Sequence, residues 1–587
     1  MKELVLTNSK LFFPNDDDKE YVFLGDWCLN TTEEYKKFFK QTLKSPYKNM
    51  DGVLQAAEYI QKISLRIISE NYSILNEVIG INLSRKFWDI YLGPSLINFL
   101  GIFYDRYLNI VKILGMNEEF NVRIVNIEGG FKTKSRDIFY QNFLGSEGNL
   151  ILYSYILKNL SFDRLKTQPL FLEKENIYFR NAGITYEDNY IIEIDETLKS
   201  SILYRMFFSK KLYLGSIYGM THIDKILLLN KTFGFTNYSI NLIKNIIQLS
   251  RKSKEFFFLD QNILRFPADN QFESLIEKIL PSVLPIPTKK TIESIDQYVP
   301  KIWIGTDIFN NNEIEIGLTK EKNGRWINIQ HGGGYGALKS LPQTFYEYKL
   351  SDKFLTWGWK YQHIQKDICF ITEPKSPLLS KVKNEGNKNS SQNILLISTD
   401  HHKSFYKIQS TLLSDQHVNY EETKLEFYEN LNNDTKKHFV YRPYPIRYSD
   451  KLEPILKINV SLDVKKYKQQ TDIYKKYKLI VVDHIATSHL ISIAMNIPTL
   501  IYFDKTIFGI SDEAEIFYKN LENVGVVFRS AKLAAEKINS IYSSIDEWWN
   551  EPERQRALNE FRIAHCDTEP NWKESWLKFI QKEVLTI

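Results

Sequence analysis

Cysteine is scarce in this chain, and no two cysteines stand close together. The three of them, Cys28, Cys369 and Cys566, are far apart and form no CxxC pair. This spacing excludes a disulfide framework and a cysteine-based zinc site, and it favours a reducing compartment.

Long apolar runs and an excess of one charge are also missing. No run of about 18 apolar residues occurs, and the longest candidate, near 490–503, is interrupted by Asn496 and Pro498, so we expect no membrane-spanning helix. The 76 basic residues nearly balance the 71 acidic ones, which argues against a nucleic-acid partner. The first residues lack the apolar core of a signal peptide. We therefore expect a cytoplasmic protein, with lysine-rich contact to the inner membrane face as a weaker expectation.

The chain does contain two stretches in which strands and helices alternate. Residues 300–330 predict a β-α-β unit, and a second alternation begins at NILLIST and ends near 548. The polar segment 376–392 indicates a linker. We predict an α/β protein with domains at 1–375 and 393–548, extra helices in the N-terminal half, and C-terminal helices at 549–587. Because ligands bind beyond the carboxyl ends of parallel strands, the two domains should face each other across a cleft.

The clearest motif follows a predicted strand and reads INIQHGGGYG. Four glycines within five residues cost backbone entropy, so something must approach this backbone closely. Glycines after a strand let N–H groups reach an anion or a sugar, and a histidine at a strand end is placed for acid–base work. The site residues predicted here are Gln330, His331, Gly332, Gly333 and Gly334. The alternative is a structural turn with a hydrogen-bonded histidine.

Three more motifs follow strands of the second alternation. In VVDHIATSHL, hydroxyls at the start of a helix favour a phosphate, although a helix N-cap is the alternative for Ser488 and a solvated helix face for His489. In HFVYRPYP, an arginine held before two prolines indicates an anion clamp or, alternatively, an interdomain salt bridge. STDHHK, with Thr399 and Asp400, indicates donor contact rather than a metal, since adjacent histidines cannot both face one ion from a strand. The predicted donor-binding residues of these motifs are Asp400, Arg442, Pro443, Thr487, Ser488 and His489.

The N-terminal half offers carboxylates at predicted strand ends. Asp26 and Glu128 are predicted to act as base or nucleophile, while Trp27 could stack on a sugar and Asp307 could contact an acceptor. Turn and N-cap roles are the alternative for each carboxylate.

Taken together, QHGGGYG, RPYP and DHIATSHL resemble motifs of bacterial GT-B glycosyltransferases that build surface carbohydrates. The start LGDWC, the FWDIYLGP helix, QHGGGYG and the late VGVVF…WW segment are similar to an uncharacterised transferase family of surface-polysaccharide loci. Shorter motifs resemble capsule Kdo transferases and sialyltransferases: Gln330–His331 matches their Gln-His motif, and Thr487–Ser488 matches their Ser/Thr motif. Their His-Pro motif is replaced here by Arg442–Pro443.

The resemblance implies a GT-B-like fold and glycosyl transfer from a nucleotide-activated sugar, with CMP-linked ulosonic acids (Kdo or nonulosonic acid) as the preferred donors. The C-terminal domain would hold the nucleotide. The N-terminal domain would bind a glycan or glycoconjugate acceptor and supply Asp26, Glu128 or His331. Such enzymes generally need neither metal nor cofactor. Two alternatives remain open: a CDP-polyol phosphotransferase of teichoic-acid type and a non-catalytic carbohydrate-binding scaffold.

Overall fold

A computed structural model gives the fold of the chain. It describes residues 1–9, 19–29, 37–126, 145–160, 164–171, 211–234, 254–260, 262–297, 299–306, 312–361, 368–383, 391–400, 407–412, 416–444, 461–463 and 471–587, together with residues 34, 143 and 455 and three short strands at 132–133, 184–185 and 191–194.

The strands are mostly short and buried. Those of the described residues are β1 (Lys2–Val5), β2 (Tyr21–Phe23), β3 (Phe120–Asn126), β4 (Lys132–Thr133), β5 (Leu165–Phe171), β6 (Ile184–Thr185), β7 (Ile191–Ile194), β8 (Leu212–Leu214), β9 (Lys254–Phe258), β10 (Pro285–Pro287), β11 (Ile302–Ile304), β12 (Arg325–Ile329), β13 (Lys353–Leu355), β14 (Phe370–Ile371), β15 (Ile394–Ile397), β16 (Phe439–Arg442), β17 (Ser461–Leu462), β18 (Leu479–Val482), β19 (Thr499–Tyr502) and β20 (Val527–Phe528).

The helices connect and cover these strands. Those of the described residues are α1 (Met50–Ile79), α2 (Arg85–Leu114), α3 (Ser146–Asn159), α4 (His222–Phe233), α5 (Gln271–Val283), α6 (Lys289–Asp296), α7 (Glu313–Glu321), α8 (Pro342–Leu350), α9 (Pro377–Lys383), α10 (His417–Glu429), α11 (Asn433–Lys437), α12 (Thr471–Tyr474), α13 (Thr487–Ala494), α14 (Asp512–Asn523), α15 (Ala531–Ile541), α16 (Ile545–Trp549), α17 (Pro552–His565) and α18 (Trp572–Leu585).

Three parallel sheets organise the described residues. Two of them, in the strand orders β2-β1-β3-β5 and β14-β13-β12-β11-β8, form what we call the first lobe. The third, β17-β16-β15-β18-β19-β20, forms the second lobe. The periodicity of the N-terminal half does not reveal that its strands divide between two sheets. The long helices α1 and α2 separate β2 from β3 in the chain, so no local pattern shows which strands pair.

The predicted β-α-β unit is confirmed as β11-α7-β12, with Trp303 paired to Trp326 in parallel register. The alternation of the second lobe is confirmed as well, since NILLIST, HFVYRPYP, KLIVVD and TLIYFD supply β15, β16, β18 and β19. The predicted linker is only partly irregular, because α9 occupies Pro377–Lys383 within it. Residues 384–390 lie outside the described residues.

Two large apolar cores correspond to the two lobes. Helix α2 is buried on nearly every side in the first-lobe core, and its Gly93 lets Tyr346 of α8 pack directly against its backbone. The last helix leaves the second lobe and returns to the first, where Trp572, Trp576 and Ile580 join that core. Glu583 of α18 also pairs with Arg325 at 3.0 Å. The two lobes are therefore tied together at the end of the chain.

This architecture is the predicted GT-B-like one: α/β, with two Rossmann-like lobes facing each other, extra helices in the N-terminal half and helices at the C-terminus. Among the described helices, none combines the length and the apolar character needed to cross a bilayer.

Candidate active site between the two lobes

The turn that follows β12 is held by Gln330, which is 1% exposed. Its Oε1 accepts hydrogen bonds from the Trp357 backbone N–H at 2.9 Å and from Trp359 Nε1 at 2.8 Å. Its Nε2 donates to the Gly332 carbonyl at 2.9 Å. The Gln330 side chain is thus engaged within the protein, and the prediction that it binds a donor does not agree with this placement.

Gly333 is the point at which the glycine turn meets the second lobe. Its N–H donates to Thr487 Oγ1 at 3.0 Å. A Cβ at position 333 would lie 2.3 Å from the Ala486 carbonyl oxygen, so only glycine allows the two backbones to come this close. The sequence predicts that these glycines make room for a sugar or its phosphate. At Gly333, the group that comes close is instead the start of a helix in the other lobe.

The residues that follow continue this contact between the lobes. Gly336 has a φ of +71°, and a Cβ there would meet the Trp359 ring at 2.7 Å. Its carbonyl accepts a hydrogen bond from Ser511 Oγ at 2.9 Å, and Leu338 forms an antiparallel bridge with Ile510. By contrast, a Cβ added at Gly332 would meet no atom closer than 3.9 Å, while one at Gly334 would lie 3.1 Å from a methyl carbon of Leu338.

His331 lies at the edge of this turn and keeps part of its surface exposed. Tyr335 Oη lies 3.1 Å from His331 Nδ1, and the two rings meet edge on with centroids 4.8 Å apart. Burial, with the Lys407 ammonium as a second cause, lowers the pKa of His331 from 6.5 to about 4. The imidazole is therefore neutral near pH 7 and can accept a proton.

Glu347 lies behind His331 and was not among the residues predicted from the sequence. It is 0% exposed on α8, and Tyr335 Oη donates to its Oε2 at 2.7 Å. Burial raises the pKa of Glu347 to about 7, although the Tyr335 hydroxyl, Lys407 and Asn328 each lower it. A single charged residue inside the aromatic run FYEY is the only sequence signal for it, and that pattern also fits a solvated helix face.

In the second lobe, helix α13 begins at Thr487 directly after the β18 loop. Ala486 occupies its N-cap position and makes no side-chain cap, so no side chain satisfies the N–H groups of the first turn in the usual way. Ser488 is half-buried and does not cap the helix, and its side chain is close enough to the Tyr474 hydroxyl to oppose the burial that raises the pKa of that tyrosine. The helix therefore presents amide N–H groups and a hydroxyl beside the glycine turn.

Arg442 is fixed at the carboxyl end of β16. Its Nη1 donates to the Asp463 carbonyl oxygen at 3.0 Å and to Asp463 Oδ1 at 3.2 Å. Asp463 also accepts a hydrogen bond from the Tyr477 hydroxyl at 2.6 Å. The salt bridge lies within the second lobe rather than between domains. Burial raises the pKa of Tyr474, and Arg442 is close enough to oppose this rise. The next residue, Pro443, is buried.

The loop after β15 reaches the same end of the second-lobe sheet. Thr399 and Asp400 are half-buried there, and the Thr399 N–H donates to the Tyr420 hydroxyl at 3.3 Å. Tyr420 in turn donates to Asp483 Oδ1 at 2.8 Å. The two histidines of STDHHK lie outside the described residues. Within the described ranges, no group of three or more His, Cys, Asp or Glu side chains is placed to hold a metal ion.

His489 is a correction to the predicted donor site. It is 0% exposed, its Nε2 lies 2.9 Å from the Tyr518 hydroxyl, and its ring packs near Phe561. Burial lowers its pKa well below 6.5. An imidazole enclosed in this way has no surface for a donor, so it belongs to the core of the second lobe.

The carboxylate candidates of the N-terminal half do not join this site. Asp26 and Trp27 are 3% and 5% exposed in a short turn after β2, and Trp27 Nε1 donates to the Leu6 carbonyl at 3.1 Å. Both side chains are enclosed in the first lobe, which does not agree with a catalytic carboxylate and a stacking ring. Glu128 and Asp307 lie outside the described residues.

A cavity of about 190 Å³ opens at the carboxyl ends of β18, β19 and β20. Its lining includes Asp483, Asp504 and Arg529, one from the loop after each of these strands, together with the rings of Tyr420 and Phe508. Arg529 stands 4.4 Å from the Phe503 ring centroid. No sequence motif unites these residues, because they come from four separate segments of the chain.

Two exposed tyrosines lie near one another between the lobes. Tyr218 of the first lobe is 41% exposed and stacks on Trp357, with centroids 6.4 Å apart and planes within 6° of parallel. Tyr444, which follows β16, is 39% exposed. The hydroxyls of Tyr444 and Tyr474 are close enough to Tyr218 to interact with it electrostatically. Rings of this kind suit the apolar face of a sugar or a base.

Two parallel-sheet lobes whose strand-end loops meet at the contact of Gly333 with Thr487 define a scaffold of the GT-B type. The chain belongs to the family described as LIC12162 family transferase, whose model matches residues 2–580. The protein is therefore a transferase. No curated protein matches the chain.

Several solved structures are similar to about half of the chain. The wall teichoic acid polymerase TagF is 12% identical over 51% of this chain and 84% of its own, with a TM-score of 0.28. MurG of Acinetobacter baumannii is 11% identical over 50% and 78%, with a TM-score of 0.27. The glycotransferase of kitacinnamycin is 12% identical over 50% and 78%, with a TM-score of 0.28.

Proposed function

We propose that the protein transfers a sugar from a nucleotide-activated donor, a CMP-linked ulosonic acid, to a bacterial surface glycan or glycoconjugate. The observation that carries the proposal is the bond from the Gly333 N–H to Thr487 Oγ1 at 3.0 Å. That bond brings a partly exposed histidine of one lobe to the start of a helix in the other. The transferase family supports group transfer, and the resemblance of the motifs to those of CMP-sugar enzymes supports the choice of donor.

The donor phosphate binds at the start of α13 in this proposal. The helix N-terminus favours an anion through its dipole and its N–H groups. Ser488 Oγ adds a hydroxyl, and Arg442 adds a guanidinium whose position is set by Asp463. Arg442 stands where related enzymes carry a histidine, and its permanent charge serves the same need, which is to neutralise the leaving phosphate. The proposal requires neither metal nor cofactor.

His331 is the proposed general base. Its unprotonated nitrogen takes the proton of the acceptor hydroxyl while that oxygen bonds to the anomeric carbon of the donor. The bond from this carbon to the phosphate oxygen breaks, and its electron pair leaves with the nucleotide. The pKa of about 4 keeps His331 neutral and ready for this step at pH 7.

Two further features of the molecule fit the nucleoside of the donor, its sugar and the acceptor glycan. The cavity beside Asp483 is lined by aromatic rings, by carboxylates and by Arg529. Because the Arg529 guanidinium is paired with Glu515 and Glu522, this lining suits a nucleoside better than a second phosphate. The exposed rings of Tyr218 and Tyr444 suit the donor sugar or the acceptor glycan.

The test is nucleotide release from a panel of donors: CMP-Kdo, CMP-sialic acid, CDP-glycerol and UDP-N-acetylglucosamine. The parent should release CMP from a CMP-linked ulosonic acid, and His331→Gln should lose this release. His438→Gln is the matched control, because His438 lies at the amino end of β16, away from the strand-end loops of the site, and stacks on Tyr542.

Three results would contradict the proposal. Turnover of CDP-glycerol alone would identify a polyol phosphotransferase. Turnover of UDP-N-acetylglucosamine alone would show that the donor is a UDP-sugar rather than a CMP-linked ulosonic acid. Binding of CMP-sugars without turnover in the parent would identify a scaffold.

A further inference from the structure

A second cavity, of about 550 Å³, lies in the first lobe between the start of α1 and the middle of α2. We call it the α1–α2 groove. Its walls come from Gly52 and Ala56 of α1 and from Tyr104 and Leu108 of α2. The volume falls within the range of about 300–1,000 Å³ that is typical of ligand pockets. The transfer step proposed above makes no use of this cavity.

The apolar side of the groove combines a fixed ring with small side chains. Tyr104 is half-buried, and its ring centroid lies 4.8 Å from that of Phe272 and 5.2 Å from that of Tyr59. Gly52 and Ala56 are one turn apart on α1 and therefore share one face of the helix. A Cβ added at Gly52 would meet no atom closer than 3.9 Å. A flat ring held beside small residues suits the apolar face of a pyranose.

The polar rim of the groove fits a neutral ligand that is rich in hydroxyls. Lys48, Asp51 and Gln55 are exposed there and supply a donor, an acceptor and an amide with both functions. Among the described residues that line the groove, Lys48 and Asp51 are the charged ones, so their formal charges cancel. The N-terminus of α1 is already capped, because Asn49 Oδ1 accepts from the Gly52 N–H at 3.2 Å. This lining favours a saccharide over a phosphate.

The groove begins beside the contact between the two lobes. Met50, the first residue of α1, packs on Gly509 of the second lobe, where an added Cβ would lie 3.0 Å from Met50 Cγ. The preceding residue, Phe508, lines the cavity that suits the nucleoside. On the α2 side, Gly101 packs on Ile408 of the segment after β15, since an added Cβ would lie 3.2 Å from that side chain. A ligand in the groove therefore lies on the first lobe, next to the loops that are proposed to hold the donor.

We propose that the α1–α2 groove is an acceptor subsite, which binds a saccharide unit of the acceptor glycan at a distance from its reacting hydroxyl. The inference rests on the proposed function, which names a glycan as the acceptor. Tyr104 stacks on the apolar face of this unit, and the polar rim hydrogen-bonds its hydroxyls. Binding energy gained here holds the acceptor in place and selects among glycans. These residues take no part in the transfer step itself.

The experiment measures saccharide binding by the full chain in the absence of a donor. The probe is a microarray of bacterial capsule, O-antigen and lipopolysaccharide-core saccharides, and the Kd of the strongest ligand is then measured by calorimetry. Gly52→Leu fills the groove and Tyr104→Ala removes its ring, so each should raise this Kd about tenfold or more, as expected for a central contact residue. Tyr104→Phe keeps the ring, and its Kd should stay within about threefold of that of the parent.

Two controls separate occlusion of the groove from damage to the fold. Leu is a better helix former than Gly, so Gly52→Leu should unfold at a Tm no lower than that of the parent while it loses saccharide binding. Ser73→Leu adds the same side chain at an exposed position of α1 outside the groove and should bind saccharides as the parent does.

The proposal is overturned if the parent binds no saccharide of the array, or if either Gly52→Leu or Tyr104→Ala binds as tightly as the parent. If Tyr104→Ala fails to fold, Gly52→Leu decides. Saccharide binding with the expected losses, but without turnover of any donor, would place the failure in the proposed glycosyl transfer and leave the groove as a saccharide site. Turnover of a CMP-sugar with an unchanged acceptor KM in Gly52→Leu would refute the subsite and leave the proposed transfer intact.

Discussion

The N–H of Gly333 lies 3.0 Å from Oγ1 of Thr487, and this bond joins the first lobe to the second. The glycine turn and the helix N-terminus are thus one structural unit. Changes that separate them should disturb both the lobe contact and the proposed chemistry.

Gly333→Ala is expected to separate them. The added Cβ would lie 2.3 Å from the Ala486 carbonyl oxygen, so one backbone must move. A shift of about 1 Å can cost about 100-fold in rate, and we expect a loss of that size in nucleotide release. Gly332→Ala is the matched control, because its Cβ would meet nothing closer than 3.9 Å. Equal activity in the two variants would contradict the account of this contact.

Gln330→Leu should damage stability rather than donor affinity. The substitution leaves the Trp357 N–H and Trp359 Nε1 without their acceptor, at about 1–3 kcal/mol for each buried donor. Denaturant unfolding should show this loss, while the Kd for CMP of the folded variant stays near that of the parent. The exposed Gln55 on α1 supplies the control Gln55→Leu. A normal stability with weakened nucleotide binding would restore the predicted donor role of Gln330.

His489→Leu and Ser488→Ala should affect different properties, although the residues are adjacent: the first should mainly lower stability, and the second should mainly weaken nucleotide binding. Loss of His489 leaves the Tyr518 hydroxyl without its partner and should lower the free energy of unfolding by about 1–3 kcal/mol, with CMP affinity unchanged. Loss of Ser488 should weaken CMP binding several-fold and lower stability by less than about 1.5 kcal/mol. Calorimetric binding and denaturation of both variants test this contrast.

Arg442→Gln should raise the Kd for CMP by about 10–100-fold, the range expected for a charge-assisted hydrogen bond of about 1.5–3 kcal/mol. Arg556→Gln, on the exposed face of α17, is the control for removal of one positive charge. A Kd that is unchanged in Arg442→Gln would show that Arg442 only anchors Asp463.

The stability of Glu347→Gln relative to the parent should depend on pH. The folded-state pKa of Glu347 is raised from 4.5 to about 7, so the folded protein keeps a proton that the unfolded chain releases. Between these values the contribution of this carboxyl to stability falls as the pH rises. Glutamine does not titrate. The Tm of the variant minus that of the parent should therefore increase from pH 5 to pH 8, and a constant or decreasing difference would contradict the raised pKa.

The parts of the fold that the sequence predicts are those in which local pattern and tertiary structure agree. In the second lobe, short apolar runs such as those of β15 and β18 are buried on both faces of a parallel sheet, so each run is a strand. The separate sheet of β1, β2, β3 and β5 is not predictable from local pattern, because its strands are joined only by pairing between distant parts of the chain.

The candidate site was predictable where a residue type and its strand-end position together indicate a role. His331, Arg442 and Ser488 are of this kind, and the structure leaves each of them partly exposed beside a strand end, His331 in the first lobe and the other two in the second. Gln330 and His489 stand beside them in the sequence, yet hydrogen bonds to Trp359 and Tyr518 occupy them within the protein. Which way a side chain points, and whether a Glu such as Glu347 is buried, depends on packing partners that are distant in the chain.

The most direct test of the central claim is a structure of the protein with CMP bound. The account predicts that the CMP phosphate contacts Ser488 and Arg442 at the start of α13 and faces His331 from the other lobe. A nucleotide bound elsewhere on the molecule, or held at α13 with His331 turned away from it, would contradict the claim that the two lobes act on one substrate.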